Sequence, residues 1–106
     1  MPFTIRVLTH PPTTVVEMSG ELDVAAASAL RTAITRTLDA ELRDLQLDLR
    51  ALTFVDAAGL QALARAHAEA LVRGARLEVT DWGWALDRVA VGATARAIIG
   101  VASPAA

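Results

Sequence analysis

The chain of 106 residues contains no cysteine and no lysine, and only four of its residues are aromatic. The absence of cysteine excludes disulfides, thiolate catalysis and cysteine-ligated zinc sites. Without lysine the sequence cannot carry the Gly-x-x-x-x-Gly-Lys loop that holds nucleotide phosphates, and Gly59 has no second glycine near it. Several common enzyme and nucleotide-binding classes are therefore excluded before any motif is considered.

The charge balance and the hydropathy pattern argue against nucleic acid and membranes as partners. Ten basic residues, all arginine, stand against twelve acidic ones for a formal charge of −2, which leaves no basic surplus for a phosphate backbone. No uncharged apolar run reaches the roughly 18 to 20 residues that cross a bilayer. Arg6, His10 and two prolines interrupt the N-terminal segment before it resembles a signal peptide. We expect a single cytoplasmic domain over residues 1–106.

Residues that could carry catalysis are few and poorly arranged. None of the three serines lies in a Gly-x-Ser-x-Gly elbow, and His10 and His67 lack the helical spacing of a zinc pair. We interpret His67 as a partly buried helix residue. The acidic residues of segment 19–23, together with Asp48 and Asp56, could form a carboxylate cluster at one end of a sheet, but caps and turns explain these residues equally well. We predict no enzymatic activity, no metal and no cofactor.

Period-two alternation of apolar and polar residues predicts the strands. Residues 3–7 alternate, two prolines then break the pattern, and residues 15–18 form a second short strand that pairs with the first as an antiparallel hairpin. The segment 19–23 is predicted to be a polar loop. Alternation in residues 45–50 and 76–80 predicts two further strands.

Apolar positions at steps of three and four predict the helices. The first covers residues 25–40, and Asp23 precedes it as a candidate N-terminal cap. The second begins after its candidate cap, Asp56, and ends near Gly74. A third, shorter helix is predicted over residues 84–91.

This order of elements predicts the fold class. Strand–helix–strand units require parallel pairing, whereas the first two strands form an antiparallel hairpin, so the sheet is mixed. Because the strands alternate rather than being apolar throughout, we expect one face of the sheet to be covered by helices and the other to be largely solvated. The expected architecture is an α/β domain with a mixed sheet of four to five strands and helices mainly on one face.

Two tryptophans flank a glycine at residues 82–84, directly after the fourth predicted strand. Tryptophan is enriched at binding hot spots, but large aromatic side chains also close the open edges of cores. We favour the second interpretation, in which one or both tryptophans cover the open edge of the core, because large aromatic side chains in folded proteins are mostly buried.

Two local motifs, in this order of elements, resemble the STAS family, which includes bacterial anti-sigma-factor antagonists and the cytoplasmic ends of sulfate transporters. Residues 19–23, Ser-Gly-Glu-Leu-Asp, resemble the family's Gly-Glu-Leu-Asp turn after the second strand. Residues 52–60, Leu-Thr-Phe-Val-Asp-Ala-Ala-Gly-Leu, resemble its hydrophobic-Asp-Ser-Ser/Thr-Gly-Leu signature. The similarity extends from about Phe3 to Val91.

The resemblance implies a role in transcription regulation by partner switching. An antagonist of this type binds a kinase that is also the anti-sigma factor, and the kinase phosphorylates the serine that follows the signature Asp. That position is Ala57 here and the next is Ala58, so the resemblance implies a partner-binding surface that is not switched by phosphorylation there. The implied partner-binding residues are Gly20, Glu21, Leu22, Asp23, Val24, Asp56, Ala57, Ala58, Gly59 and Leu60.

Two other functions remain open at this point. Similar modules serve as small subunits of lipid-transport ATPase complexes or of sensory assemblies, in which case the partner would be an ATPase or a sensor. The carboxylate-bearing segments could instead bind a nucleotide or a small metabolite, although no phosphate-binding feature in the sequence supports that function.

Overall fold

The computed structural model describes residues 2–81 and Gly83, which form four strands and two helices. No helix in this part of the chain has the length and apolar character needed to span a bilayer. The elements are β1 (Thr4–His10), β2 (Thr13–Leu22), α1 (Val24–Asp39), β3 (Asp44–Val55), α2 (Ala57–Val72) and β4 (Arg76–Asp81).

The four strands form one mixed sheet in the order β1-β2-β3-β4. β1 and β2 are antiparallel and are joined by a tight turn at Pro11 and Pro12, whose peptide bond is cis. β2 pairs with β3, and β3 with β4, in parallel. Both helical crossovers step in the same direction across the sheet. Because such crossovers are right-handed, both helices lie on the same face, as the alternating strands predicted.

The core lies between this helical layer and one face of the sheet. Alternate residues of β2 and β3 are buried on the helical side, and α1 contributes an apolar stripe at steps of four residues. The fully buried side chains include Val16, Leu22, Leu30, Ile34, Leu38, Leu45, Leu47, Leu49, Leu52, Val55 and Leu63. Intervening strand residues such as Glu17 and Asp48 are only partly buried, so the opposite face of the sheet is open in the described part of the chain.

The predicted polar loop at residues 19–23 is wrong. Ser19 to Leu22 continue β2, because they pair with Ala51 to Val55 of a third strand that is also longer than predicted. Register shifts between Glu17 and Ser19, and between Gly20 and Glu21, accommodate the polar residues. Pairing with a neighbouring strand has overridden the turn preference of the local sequence.

The helix boundaries agree closely with the sequence, with small corrections. α1 begins at Val24 and ends at Asp39, one residue earlier at each end than the predicted 25–40. α2 ends at Val72, followed by Gly74 with a φ of 74°, the left-handed conformation common just after helix ends. His67 is partly buried on α2, as predicted. The predicted third helix, Trp82 and Trp84 lie outside the described residues.

An ion pair on the open face of the sheet joins β3 to the end of β4. The guanidinium of Arg50 donates to Asp48 at 2.7 Å, and Asp81 lies 3.7 Å from Arg50. The hydrogen bonds from Arg50 lower the pKa of the Asp48 carboxyl, although partial burial opposes them. The folded state therefore binds the Asp48 proton more weakly than the unfolded chain does.

Replacing Arg50 with Gln should raise the pKa of Asp48 towards its ordinary value. A carboxyl whose pKa is lowered by folding adds to the free energy of unfolding. This contribution is complete above the pKa in the unfolded chain, about 3.9. It is lost as the pH falls through the lower pKa of the folded state. NMR titration of the side-chain carboxyl should report the shift directly. Arg76→Gln, which removes an arginine from the Glu78 pair, is the control and should leave the Asp48 pKa unchanged. An unaltered Asp48 titration in Arg50→Gln would contradict this assignment.

Candidate functional site

The carboxyl ends of β2 and β3 bring the two sequence motifs together. These strands are parallel, and their last residues, Leu22 and Val55, are paired neighbours. α1 begins at Val24 and α2 at Ala57, so both helices start at the same edge of the sheet. Parallel pairing thus places next to each other two segments that lie more than thirty residues apart in sequence.

An aspartate caps each helix at this edge. The Asp23 carboxylate accepts a hydrogen bond from the backbone N–H of Ala26 at 3.1 Å. The Asp56 carboxylate accepts one from the N–H of Gly59 at 2.8 Å. Both aspartates have extended backbones, as N-cap residues do, and each side chain accepts from a backbone N–H in the first turn of its helix. Both predicted caps are confirmed.

Beyond the pairing of β2 with β3, the backbone carbonyl of Leu22 links the end of β2 to the start of α2. It accepts a hydrogen bond from the N–H of Asp56 at 3.3 Å. The first turn of α2 lies so close to it that a Cβ atom at position 59 would overlap with it. Gly59 is therefore needed for close approach of the α2 backbone to the end of β2.

Gly20 permits a second close approach at the same end of the sheet. Its φ is 86°, and a Cβ atom there would overlap with the carbonyl group of Pro2. The start of the chain thereby lies against the end of β2. Thr4, the first residue of β1, also hydrogen-bonds to Ser19 through their hydroxyl groups. Gly20 has a structural reason for being glycine, independent of any partner.

The ten residues predicted to bind a partner fall into three groups: buried, partly buried and exposed. Gly20, Leu22 and Gly59 are buried, so they shape the edge of the sheet rather than contribute side chains to its surface. The partly buried members are Asp23, Asp56, Ala58 and Leu60, and the exposed ones are Glu21, Val24 and Ala57.

Phe54 is an exposed aromatic residue at this edge that was not predicted as a site residue. Its exposed fraction is 45%, and it pairs with Glu21 across the two strands. Val24, at the start of α1, is 74% exposed. An aromatic residue inside the second motif was a signal that could have identified Phe54. We call Glu21, Val24, Phe54 and Ala57 the edge patch.

The side chains of the edge patch are mostly apolar. The edge patch carries one carboxylate and three apolar side chains, with no hydroxyl, thiol or imidazole. Within residues 2–81, no three potential ligands cluster to hold a metal ion. Asp48 does not join Asp56, because it lies seven residues before the end of β3, roughly 20 Å away along a strand. Asp48 therefore lies apart from the acidic residues at the ends of β2 and β3, and the two aspartates there, Asp23 and Asp56, serve as helix caps.

Comparison of the sequence with protein families identifies the family to which this fold belongs. The family model for the STAS domain matches residues 4–102, nearly the whole chain. The chain belongs to the STAS domain family. No protein with a curated description shows significant sequence similarity to it.

Solved structures of other STAS-like proteins share this fold. An anti-sigma factor antagonist from Mycobacterium paratuberculosis is 31% identical, with a TM-score of 0.71 over 82% of this chain and 74% of that protein. An antagonist STAS domain from Rhodobacter sphaeroides is 17% identical, with a TM-score of 0.60 over 73% and 84%. Unphosphorylated SpoIIAA, also an anti-sigma factor antagonist, is 20% identical, with a TM-score of 0.60 over 74% and 71%. The last two similarities establish the fold alone.

Removing the Asp56 carboxylate should destabilise this STAS domain through loss of the α2 cap. Asp56→Ala is expected to lower the free energy of unfolding by about 1 kcal/mol, whereas Asp56→Asn, which keeps a capping oxygen, should lose much less. Urea unfolding of both variants checks this. Equal losses in the two variants would show that the side-chain cap contributes little.

Gly59→Ala should destabilise the domain although alanine favours helices. Helix propensity alone predicts a gain of up to about 1 kcal/mol. We expect instead a loss of about 2 kcal/mol, because the added methyl group meets the Leu22 carbonyl, which is backbone and cannot rotate away.

Gly74→Ala is the matched control, since position 74 has a left-handed φ but open space around it. In that variant backbone strain alone should lower the free energy of unfolding, by about 1 kcal/mol. A neutral or stabilising Gly59→Ala in urea unfolding would refute the close approach.

Proposed function

We propose that this protein is a regulatory binding module of the anti-sigma-factor-antagonist type, with all of residues 1–106 forming one domain. In this proposal the edge patch and the cap residues around it dock onto a kinase-type anti-sigma factor in the bacterial cytoplasm. Docking sequesters the anti-sigma factor and releases a sigma factor for transcription. The observation that carries the proposal is the meeting of both motifs at one edge of the sheet, joined through the Leu22 carbonyl.

The side chains of the edge patch are suited to a protein partner. Val24 and Phe54 offer apolar area that remains accessible at the ends of two rigid elements. Aromatic and apolar anchors held by a rigid scaffold provide much of the binding energy of protein interfaces. The similarity to the antagonist from Mycobacterium paratuberculosis favours an anti-sigma factor over the ATPase of a lipid-transport complex as the partner.

Ala57 makes this surface permanently neutral at the position where the family resemblance implies a phosphorylated serine. A phosphate there would add about −1.5 to −2 charges and three acceptor oxygens. Neither Ala57 nor Ala58 has an atom that accepts a phosphate, so the first turn of α2 stays uncharged. We infer that binding is controlled by the abundance of the protein or by the state of its partner, not by phosphorylation at this site.

Ala57→Glu should weaken binding to the anti-sigma factor without unfolding the domain. An acidic side chain is tolerated at a helix N-terminus, but it places an uncompensated charge within the interface. We expect an increase in Kd of roughly tenfold or more, or about 1.4 kcal/mol, measured by titration calorimetry with the kinase-type anti-sigma factor of the same genome.

Ala68→Glu adds the same charge at an exposed position later in α2 and serves as the control. It should bind as the wild type does. Equal affinity of Ala57→Glu and wild type would exclude the edge patch from the interface.

Ala57→Ser should create a phosphorylation site that the natural protein lacks. Incubation with the anti-sigma kinase and ATP is expected to phosphorylate the variant at residue 57 and to leave the wild type unmodified in this segment. Mass spectrometry of the α2 segment reads this out. Phosphate on the wild type within residues 53–61 would contradict the proposed absence of a switch.

A further inference from the structure

A groove of about 280 Å³ runs between α1 and α2 on the surface of the helical layer. It lies away from the edge patch, and none of the edge patch residues lines it. Its lining residues are Ala27, Ser28, Arg31, Ala62, Arg65, Ala66 and Glu69. Alanines from both helices thus form its apolar part, and two arginines contribute positive charge.

Both arginines of the groove are exposed and have no ion pair within residues 2–81. Elsewhere, Arg50 and Arg73 donate to carboxylates at 2.7 Å. Arg31 and Arg65 therefore carry charges that no acidic side chain in the described part of the chain neutralises by direct contact.

Glu69, the acidic residue of the groove, is already engaged. Its carboxylate accepts hydrogen bonds from the Thr35 hydroxyl at 3.0 and 3.2 Å and lies 3.7 Å from the guanidinium of Arg73. It forms no ion pair with Arg65, although the two residues are four positions apart on one helix. Glu69 thus leaves the charge of Arg65 available.

The first three turns of both helices have positive charge and no acidic residue. Residues 24–35 and 57–68 contain Arg31 and Arg65 but no Asp or Glu. The helix dipoles add partial positive charge at the same ends, although the capping carboxylates offset part of it. In a chain with a formal charge of −2, this groove is a locally positive surface.

We propose that the groove binds an acidic helical segment of a partner protein, at a surface separate from the edge patch. Alanine side chains are short enough to let the backbone of a third helix approach α1 and α2 closely. Acidic residues three or four positions apart on that helix lie on one face and can reach Arg31 and Arg65 together. The open apolar floor favours a polypeptide over a small anion, which would find few further donors there. The proposal goes beyond the proposed function and does not depend on it.

The test uses the full chain, labelled with ¹⁵N, and a synthetic helical peptide of alanine and leucine with glutamate at every fourth position. Amide shifts are expected in residues 27–31 and 62–66, and they should weaken with added salt. The same peptide with lysine in place of glutamate is the control and should produce no shifts there. Since no anti-sigma factor is used, failure here would leave the proposed function untouched.

A second experiment removes the positive charges of the groove. The double variant Arg31→Gln/Arg65→Gln should lose at least about tenfold in affinity for the acidic peptide, since both ion pairs are removed. Arg36→Gln/Arg76→Gln removes two other exposed arginines and should bind as the wild type does. Circular dichroism confirms that both double variants are folded.

Three results would overturn the proposal. One is the absence of shifts in the groove with the acidic peptide, and another is unchanged affinity in the Arg31→Gln/Arg65→Gln variant. The third is inorganic phosphate alone giving the same shifts with the same affinity, which would make the groove an anion site instead of a docking surface.

Discussion

The approach of α2 to the carbonyl oxygen of Leu22 organises the end of this STAS domain at which both helices begin. That oxygen accepts the Asp56 N–H, and the first turn of α2 reaches it only because position 59 has no side chain. The contact fixes the position of α2 relative to the end of β2, and the Asp23 cap begins α1 directly after that strand. The exposed edge patch is therefore carried by a framework of backbone contacts.

Features that depend on local sequence were predictable, whereas features that depend on neighbouring strands were not. Both capping aspartates follow from residue type and helix periodicity, and the one-sided placement of the helices follows from alternation in the strands. The segment Ser19 to Leu22 contains turn-favouring residues, yet its pairing with β3, more than thirty residues away, makes it a strand. The close approach at Gly59 likewise arises from a contact between elements, which no local pattern encodes.

The chemistry of the edge patch gives the proposed function its particular form. A surface with one carboxylate, two exposed apolar side chains and a methyl group where a phosphorylated serine is implied can bind, but it cannot be charged by a kinase at that position. In the proposed function, regulation therefore comes from the partner or from protein concentration. The groove between α1 and α2 is chemically different, because its lining includes two arginines that form no ion pair within residues 2–81. The two proposals thereby concern surfaces of different chemistry on one small domain.

Backbone amide hydrogen exchange, with and without the kinase-type anti-sigma factor, tests the partner-binding surface most directly. Slower exchange is expected on binding at the start of α1 and at the start of α2 together, because one interface covers both helix ends. Slower exchange confined to the open face of the sheet, around Asp48 and Arg50, or no change at either helix start, would contradict the edge patch as the docking surface.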